Sequence, residues 1–374
     1  MKKHLKVALV HDYLAEYGGA ERVLEALHQI YPEAPVYTAF VDAERLGKQW
    51  QRFASWDIHT SWLTKIPFHR RLFSPLRIFA PSFFSSFDLS SFDLVISSTN
   101  AYFAKAVRVP NGVHICYCHT PSRSLWGYST MTDWQSNPVT KFFGTLINHY
   151  LRVEDVKIAR DNVDYFIANS RETQRRIKKF YKLASTLIYP PVHIPKQPPD
   201  PNHSRTYFLY VNRLAWAKHP ELAVQVCTKL GLPLKVVGSG KMLSGLGDIA
   251  GPTVEFLGHV SDSELSQLYR GAIALLYPVE DEDFGIVPVE AMAHGIPVIA
   301  HASGGPLESV IDGKTGILFD ELSLSGLEKA VTKFKRGRFN PTFLYHHAKR
   351  YSQDEFSQKL SRFIEEKVAQ TLHR

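Results

Sequence analysis

The sequence predicts two parallel α/β domains in tandem, with their sheets facing each other across a cleft. Three observations predict this fold class. Short apolar runs alternate with stretches of helical periodicity, which is the pattern of strand–helix–strand crossovers in a doubly wound parallel sheet. The alternation stops at Tyr189-Pro190-Pro191-Val-His-Ile-Pro195-Lys-Gln-Pro198-Pro199-Asp-Pro201 and resumes after it. Proline at that density ends both helix and sheet, because it removes backbone donors and clashes with the preceding turn. The chain has 374 residues, too many for one compact core.

The elements follow in order. Lys6–Val10 reads as a first buried strand and not as a leader, since its apolar core is four residues long and is broken by His11 and Asp12. After the loop Asp12–Tyr17, Gly18-Gly19 open a helix whose apolar residues recur at helical spacing. Asp93–Ser97, His114–Tyr117 and Tyr165–Ala168 are the next strands, and the longest helix runs about Val139–Asn162. Beyond the prolines the expected strands are Tyr207–Val211, Leu234–Val237, Val254–Leu257, Ile273–Tyr277, Val298–Ala300 and Ile317–Phe319. Helices at about Pro220–Leu230, Asp262–Tyr269 and Val287–His294 separate them, and a polar-faced helix, about Gln353–Leu372, ends the chain. The expected domains are residues 1–190 and 191–352, with the tail from about 353 to 374 packing back on the first. Open α/β sheets bind ligands beyond the carboxyl ends of their strands, so a ligand is expected in the cleft between the two domains.

Apolar content is 44% and charged content 21%, ordinary for a soluble globular protein, and no apolar run approaches the length of a membrane span. The three cysteines, Cys116, Cys118 and Cys227, suggest a reducing compartment without a disulfide framework. Cys116-Tyr-Cys118 alternates within a strand and has no second pair to complete a zinc site, so it reads as structural. The net charge of +8 is uneven: residues 1–190 carry 24 Lys/Arg against 16 Asp/Glu, whereas residues 191–374 carry 20 of each. The basic half also holds an aromatic and basic stretch from Trp62 through Lys65, Phe68, Arg70, Arg71, Phe73, Arg77 and Phe79 to Phe83-Phe84. Such a stretch either lies on an anionic bilayer surface or forms a helical hairpin that buries its aromatics. No nucleic-acid motif accompanies the charge, so nucleic acid is not an expected partner.

Chemistry concentrates near the C-terminal third, in Glu282-Asp-Phe-Gly-Ile-Val-Pro-Val-Glu290 followed by Ala291-Met-Ala-His-Gly295-Ile-Pro-Val298. Two carboxylates flanking a glycine turn at the mouth of a helix can hold a polyhydroxylated ligand, and the glycine lets backbone N–H groups approach it. Arg213 and Lys218 follow the first strand of the second domain, where two cations can neutralise a departing diphosphate. Gly18-Gly19 is placed either for anion binding or as a plain strand–helix turn. Gly238-Ser-Gly240 ends a strand and lacks a complete phosphate-loop pattern, so a structural turn is the better reading. His119 follows a first-domain strand, where it can hydrogen-bond a sugar hydroxyl. The acidic run Glu280–Asp283 has no histidine to complete a ligand set, and no metal is expected.

Together these residues resemble the GT-B glycosyltransferases, in particular the large retaining family that includes sucrose synthases and bacterial mannosyltransferases. The resemblance covers almost the whole chain. It is most specific at Glu282-x7-Glu290 with Phe284-Gly285 inside, and extends to Gly18-Gly19, Arg213, Lys218, Phe256-Leu-Gly258-His259-Val260 and Ser303-Gly-Gly305. Cys118-His119-Thr-Pro-Ser-Arg-Ser-Leu-Trp126 is similar to O-antigen mannosyltransferases that use GDP-mannose. The resemblance implies two Rossmann-like domains; the enzyme is expected in the cytoplasm, and a peripheral place on the inner face of the membrane is a separate expectation that rests on Trp62–Phe84 and the charge asymmetry. Its implied reaction is transfer of a hexose, with mannose expected, onto a glycan or lipid-linked acceptor without a cofactor. It implies that Glu282, with backbone N–H groups of Phe284, Gly285 and Ile286, binds the donor sugar, and that Glu290 binds the ribose. Arg213, Lys218 and the Gly19 loop would stabilise the diphosphate, His259 and Val260 would border the nucleobase, and His119 would contact the sugar near the reacting carbon. An acidic residue common in the family stands as Ser239 here, which weakens a role for Gly238–Gly240. A sugar-nucleotide epimerase, a phosphorylase and a non-catalytic binding module are the alternatives on the same fold.

Overall fold

The structure, a computed structural model, describes residues 5–100, 102–128 and 138–372. The chain forms two compact units, Met1–Pro191 with Phe356–Arg374, and Val192–Glu355.

The first unit is built on seven parallel strands: β1 Val7–His11, β2 Val36–Thr38, β3 Ile58–Thr60, β4 Leu94–Thr99, β5 Val113–Cys118, β6 Tyr165–Ala168 and β7 Thr186–Leu187. Their order across the sheet is β3-β2-β1-β4-β5-β6-β7. Every residue of β1, β4 and β5 is buried. Helices cover both faces of the central strands, so their sequences are continuous apolar runs instead of alternating ones. On one face lies Phe356, Leu360, Phe363, Ile364 and Val368 of the C-terminal helix Gln353–Leu372, which pack with Leu9, Ile96, Ile115 and Tyr117. On the other, Leu63, Ala80, Phe83 and Phe84 join Val10, Val95 and Leu151. The aromatic and basic stretch is thus divided, since Phe68, Leu72 and Phe79 remain exposed.

The second unit has six parallel strands: β8 Tyr207–Val211, β9 Leu234–Val237, β10 Val254–Gly258, β11 Ala272–Tyr277, β12 Val298–His301 and β13 Gly316–Phe319, in the order β10-β9-β8-β11-β12-β13. All the strands and helices read from the sequence are present, with ends within about two residues, as element boundaries usually are. Strands β2, β3 and β7 carry too few residues for a periodic signal, and the sequence reading passed over them. The Gly-x-Gly after β9 is a packing turn. Gly238 lies at φ +127°, and a Cβ there would stand 1.9 Å from the carbonyl oxygen of Asn212.

Two buried polar groups hold the first unit together. Lys105 Nζ donates to Asp155 Oδ1 at 2.5 Å, and Asp155 Oδ2 accepts from the Tyr181 hydroxyl (2.8 Å) and Trp126 Nε1 (3.2 Å). Burial alone would lower the lysine's pKa, but Asp155 beside it outweighs that and holds it above its ordinary value. His114 donates from Nδ1 to the Asn162 carbonyl at 2.6 Å, which leaves Nε2 to accept from the Ser97 hydroxyl at 2.8 Å. Burial pushes this imidazole down to about 4.

Replacing Lys105 by Met strands a buried carboxylate and is expected to cost about 3–5 kcal/mol in urea unfolding. A loss under about 1 kcal/mol would show that Asp155 does not need the lysine. His114 titrates lower in the folded than in the unfolded chain, so its contribution is complete above about pH 6.5 and is lost as pH falls toward 4. Relative to a His114→Gln variant, the wild type should lose up to about 3 kcal/mol across that window. Parallel curves for the two proteins would contradict the assignment.

Candidate functional site

Each sheet reverses its strand order once, between β1 and β4 and between β8 and β11. At such a point the loops leave the carboxyl ends in opposite directions and open a crevice. Of the residues predicted from sequence, Lys218 and Glu282 meet at the reversal in the second unit and His119 and Gly18 lie at that in the first, whereas His259 and Val260 follow the edge strand β10.

In the second unit, β8 leads into Asn212-Arg213 and the short turn Trp216–Lys218. The Tyr210 hydroxyl anchors that turn by donating to the Lys218 carbonyl at 2.9 Å. Strand β11 ends at Tyr277 and leads through Glu280–Gly285 into the helix Ile286–Ala293. Lys218 Nζ donates to Glu282 Oε2, and the Tyr277 hydroxyl donates to the same oxygen at 2.9 Å. The two charged side chains are only 11% and 14% exposed. Burial, with Glu282 beside it, raises the Tyr277 pKa well above that of free tyrosine, so it remains a neutral donor.

The loop carrying Glu282 is pressed against the turn after β12. The Ser303 hydroxyl accepts from the Asp281 N–H at 3.0 Å, and the Gly305 N–H donates to the Glu282 carbonyl at 2.8 Å. Gly304 lies at φ +62°, and a Cβ on it would come within 2.1 Å of that same carbonyl oxygen. Only glycine allows this approach. Phe284 is buried against Tyr351, with ring centroids 5.5 Å apart. Gly285, at φ +79°, begins the helix without a side-chain cap. Backbone N–H groups at the start of this helix therefore adjoin the Lys218–Glu282 pair.

Glu290 lies one turn into the helix, buried, where its Oε2 accepts from the Tyr269 hydroxyl at 3.0 Å. The two glutamates thus take different hydrogen-bond partners. Arg213 is exposed, and its N–H donates to Asn212 Oδ1 at 3.0 Å. His259 is exposed after β10, with Nε2 2.8 Å from Ser239 Oγ, and Val260 beside it is half-buried.

In the first unit, Gly18 precedes the helix Gly19–Ile30 and its N–H donates to Glu21 Oε2 at 2.8 Å. The start of this helix is therefore already faced by a carboxylate of the chain. Glu21 Oε1 lies 3.4 Å from His11 Nε2, His11 Nδ1 lies 3.2 Å from Ser98 Oγ, and Ser98 Oγ lies 2.8 Å from His119 Nε2. All four residues are buried. Beside them the Asp12 carboxylate accepts from the Thr99 hydroxyl (2.9 Å) and the N–H groups of Asn100 (2.8 Å), Tyr102 (3.0 Å) and Ala104 (2.8 Å). Burial, and after it the neighbouring His11, push His119 down to about 4, so at neutral pH it offers hydrogen bonding without charge.

Sequence reasoning found Lys218, Glu282, Glu290 and His119 but missed Tyr277, Tyr269, His11, Ser98 and Asp12. Tyr277 and His11 are the last residues of their strands. A polar residue closing an apolar run was the available signal.

Residues 194–355 match the family model described as glycosyl transferases group 1. The alpha-1,3/1,6-mannosyltransferase alg2 of Schizosaccharomyces pombe is 26% identical over 377 residues, covering 85% of this chain and 71% of that protein. The GDP-mannose-dependent alpha-mannosyltransferase of Mycolicibacterium smegmatis is 36% identical over 122 residues, which are 33% of this chain and 32% of that protein. Among solved structures, Anabaena HepE in complex with UDP and glucose superposes with a TM-score of 0.70 at 18% identity, covering 97% of this chain and 100% of that one. Sucrose-phosphate synthase from Thermosynechococcus elongatus gives 0.71 at 19% identity, covering 97% and 99%. At such identities these two likenesses speak to the fold alone. The Val192–Glu355 unit thus matches a group 1 glycosyltransferase domain, and the chain as a whole has a GT-B fold and is similar to mannosyltransferases.

Proposed function

We propose that this protein is a retaining hexosyltransferase that moves mannose from GDP-mannose to a glycan or lipid-linked oligosaccharide in bacterial surface polysaccharide synthesis. The meeting of Lys218 and Glu282 at the switch point of the second sheet carries the reading. A cation and a carboxylate side by side suit the two halves of an activated sugar, since one takes the diphosphate charge and the other accepts from sugar hydroxyls. The mannosyltransferase relatives support the choice of sugar, and the mycobacterial one supports the nucleotide.

In this reading the acceptor oxygen bonds to the anomeric carbon on the face from which the diphosphate departs. The carbon–oxygen bond to the diphosphate breaks, and the leaving phosphate takes the acceptor's proton. Lys218 and Arg213 stabilise the developing negative charge without a divalent ion, and a buried cation is worth more there than one in water. Glu21 already faces the Gly18–Gly19 turn, so these two cations bear more of that charge than the turn does. As the diphosphate draws Lys218 away, Tyr277 keeps its hydrogen bond to Glu282 and holds the carboxylate toward the sugar. The N–H groups of Phe284, Gly285 and Ile286 assist, Glu290 takes the ribose, and His259 and Val260 border the base. His119 supplies an uncharged hydrogen bond near the reacting carbon. The enzyme would work in the cytoplasm, at the inner face of the membrane. Among the described residues no helix is long and apolar enough to cross a membrane.

A second reading keeps the reaction and changes the donor to a UDP-sugar, as the complex of the structural neighbour HepE suggests. Thermal unfolding with a panel of nucleotide sugars decides, because a ligand of the native state raises Tm. GDP-mannose should give the largest rise, and a larger one with UDP-glucose would overturn the GDP-mannose assignment. With GDP-mannose present but no acceptor, an epimerase would change the sugar, whereas this protein should leave it or hydrolyse it slowly. Lys218→Ala should lower kcat about 100-fold or more when assayed well below its unfolding midpoint, which should itself fall because the largely buried Glu282 loses its partner. Transfer at the normal rate would remove the leaving-group argument. Tyr277→Phe keeps the ring and deletes the hydroxyl, and should cost about 10- to 100-fold in kcat/KM for the donor.

A further inference from the structure

The helix Pro138–Asp161 of the first unit buries one side in the usual way, with Asn148, Leu151, Asp155, Ile158 and Ala159 turned to the core. Its opposite side is unusual. Phe142, Phe143, Leu146, Tyr150 and Val153 are between 50% and 61% exposed. At 3.6 residues per turn these five fall within a sector about 100° wide and about 16 Å long. Apolar side chains usually face the core, so a continuous apolar stripe turned to solvent marks a surface that meets something.

A second element with exposed apolar residues packs beside this helix. The stretch Trp62–Phe84 shares its core with this helix through Leu76 and Leu151. Arg77 ties the two together, donating to Asn148 Oδ1 and to Ser124 Oγ at 2.6 Å each. From this stretch Phe68 is 74% exposed, and its backbone is held in the left-handed region at φ 58°, which side chains that large rarely adopt. Leu72 and Phe79 are exposed as well.

The charges around these residues identify the occupant. Residues 61–87 contain Lys65, Arg70, Arg71 and Arg77 and no Asp or Glu. The exposed residues between 141 and 160 include Lys141, Arg152, Lys157 and Arg160, again without an acid. Glu154 is half-buried, Asp155 is buried, Asp161 is exposed at the helix end, and Asp42 stands 3.5 Å from Arg70. Aromatic rings within a field of cations suit the interface of a bilayer rich in anionic lipid. Two copies of this face would bring their cations together, which disfavours self-association.

We infer that the exposed faces of Pro138–Asp161 and Trp62–Phe84 form one docking surface for an anionic lipid bilayer. Phe68, Phe142 and Phe143 enter the headgroup region, and the flanking lysines and arginines meet lipid phosphates. The inference specifies where the membrane named in the preceding reading is bound. It stands on different residues, so a failure of vesicle binding leaves the donor assignments untouched.

Cosedimentation of the full chain tests it. The protein should pellet with phosphatidylcholine–phosphatidylglycerol vesicles at low salt, and less so at high salt or with phosphatidylcholine alone. Phe142→Ser with Phe143→Ser should lower binding about tenfold or more while thermal unfolding stays unchanged. Lys141→Glu with Lys157→Glu should remove the preference for phosphatidylglycerol. A wild type that stays in the supernatant with mixed vesicles at low salt overturns the inference. So does a serine variant that binds like the wild type, including one that merely changes from dimer to monomer in sedimentation velocity.

Discussion

The Lys218–Glu282 contact is the constraint on which the chemistry of the second unit depends. The two residues are 64 positions apart and meet because β8 and β11 are neighbours at the strand-order reversal. Removing two charges from water costs about as much as their attraction returns, so such a pair adds little net stability. What it provides is position. Lys218 sits on a turn anchored by Tyr210, and Glu282 sits on a loop pressed against Ser303-Gly304-Gly305. The glycines, the tyrosines and the buried Phe284 follow from the need to hold a lysine and a glutamate side by side in a partly dry place.

The first unit solves the same topological problem differently. Its reversal between β1 and β4 is occupied by Asp12, satisfied by four donors, and by a chain of polar side chains from Glu21 through His11 and Ser98 to His119. Burial keeps His119 neutral. The cluster of the second unit thus pairs a lysine with a glutamate, whereas that of the first is built from two carboxylates, a hydroxyl and two imidazoles, with no lysine or arginine among those residues.

How much of this was legible in the sequence depended on the length of the signal. Central strands such as Val7–His11 are buried on both faces, and their continuous apolar runs are plain. The two- and three-residue edge strands carry no period to read. Lys218, Glu282 and Glu290 could be found because their spacing to glycines and prolines is a local pattern. Tyr277 and Tyr269 could not, since a tyrosine ending a strand or lying within a helix looks like core until its hydroxyl is seen on a carboxylate. Ser98 was hidden for another reason. Its partner His11 is 87 positions away, and only the parallel register sets them side by side. The aromatic stretch was ambiguous because aromatic and basic residues interleave along it, and only the fold separates Phe83 and Phe84, which are buried, from Phe68 and Phe79, which are exposed.

The closing helix has a consequence for how the molecule comes into being. Phe356, Leu360, Phe363, Ile364 and Val368 complete the hydrophobic interior that Leu9 and Leu24 begin. During synthesis that side of the amino-terminal sheet lacks its cover until this helix has been made. The segment Val192–Glu355 is released earlier and contains all of its own strands. The core of the amino-terminal unit is thus completed by residues that follow the whole of the second unit in sequence.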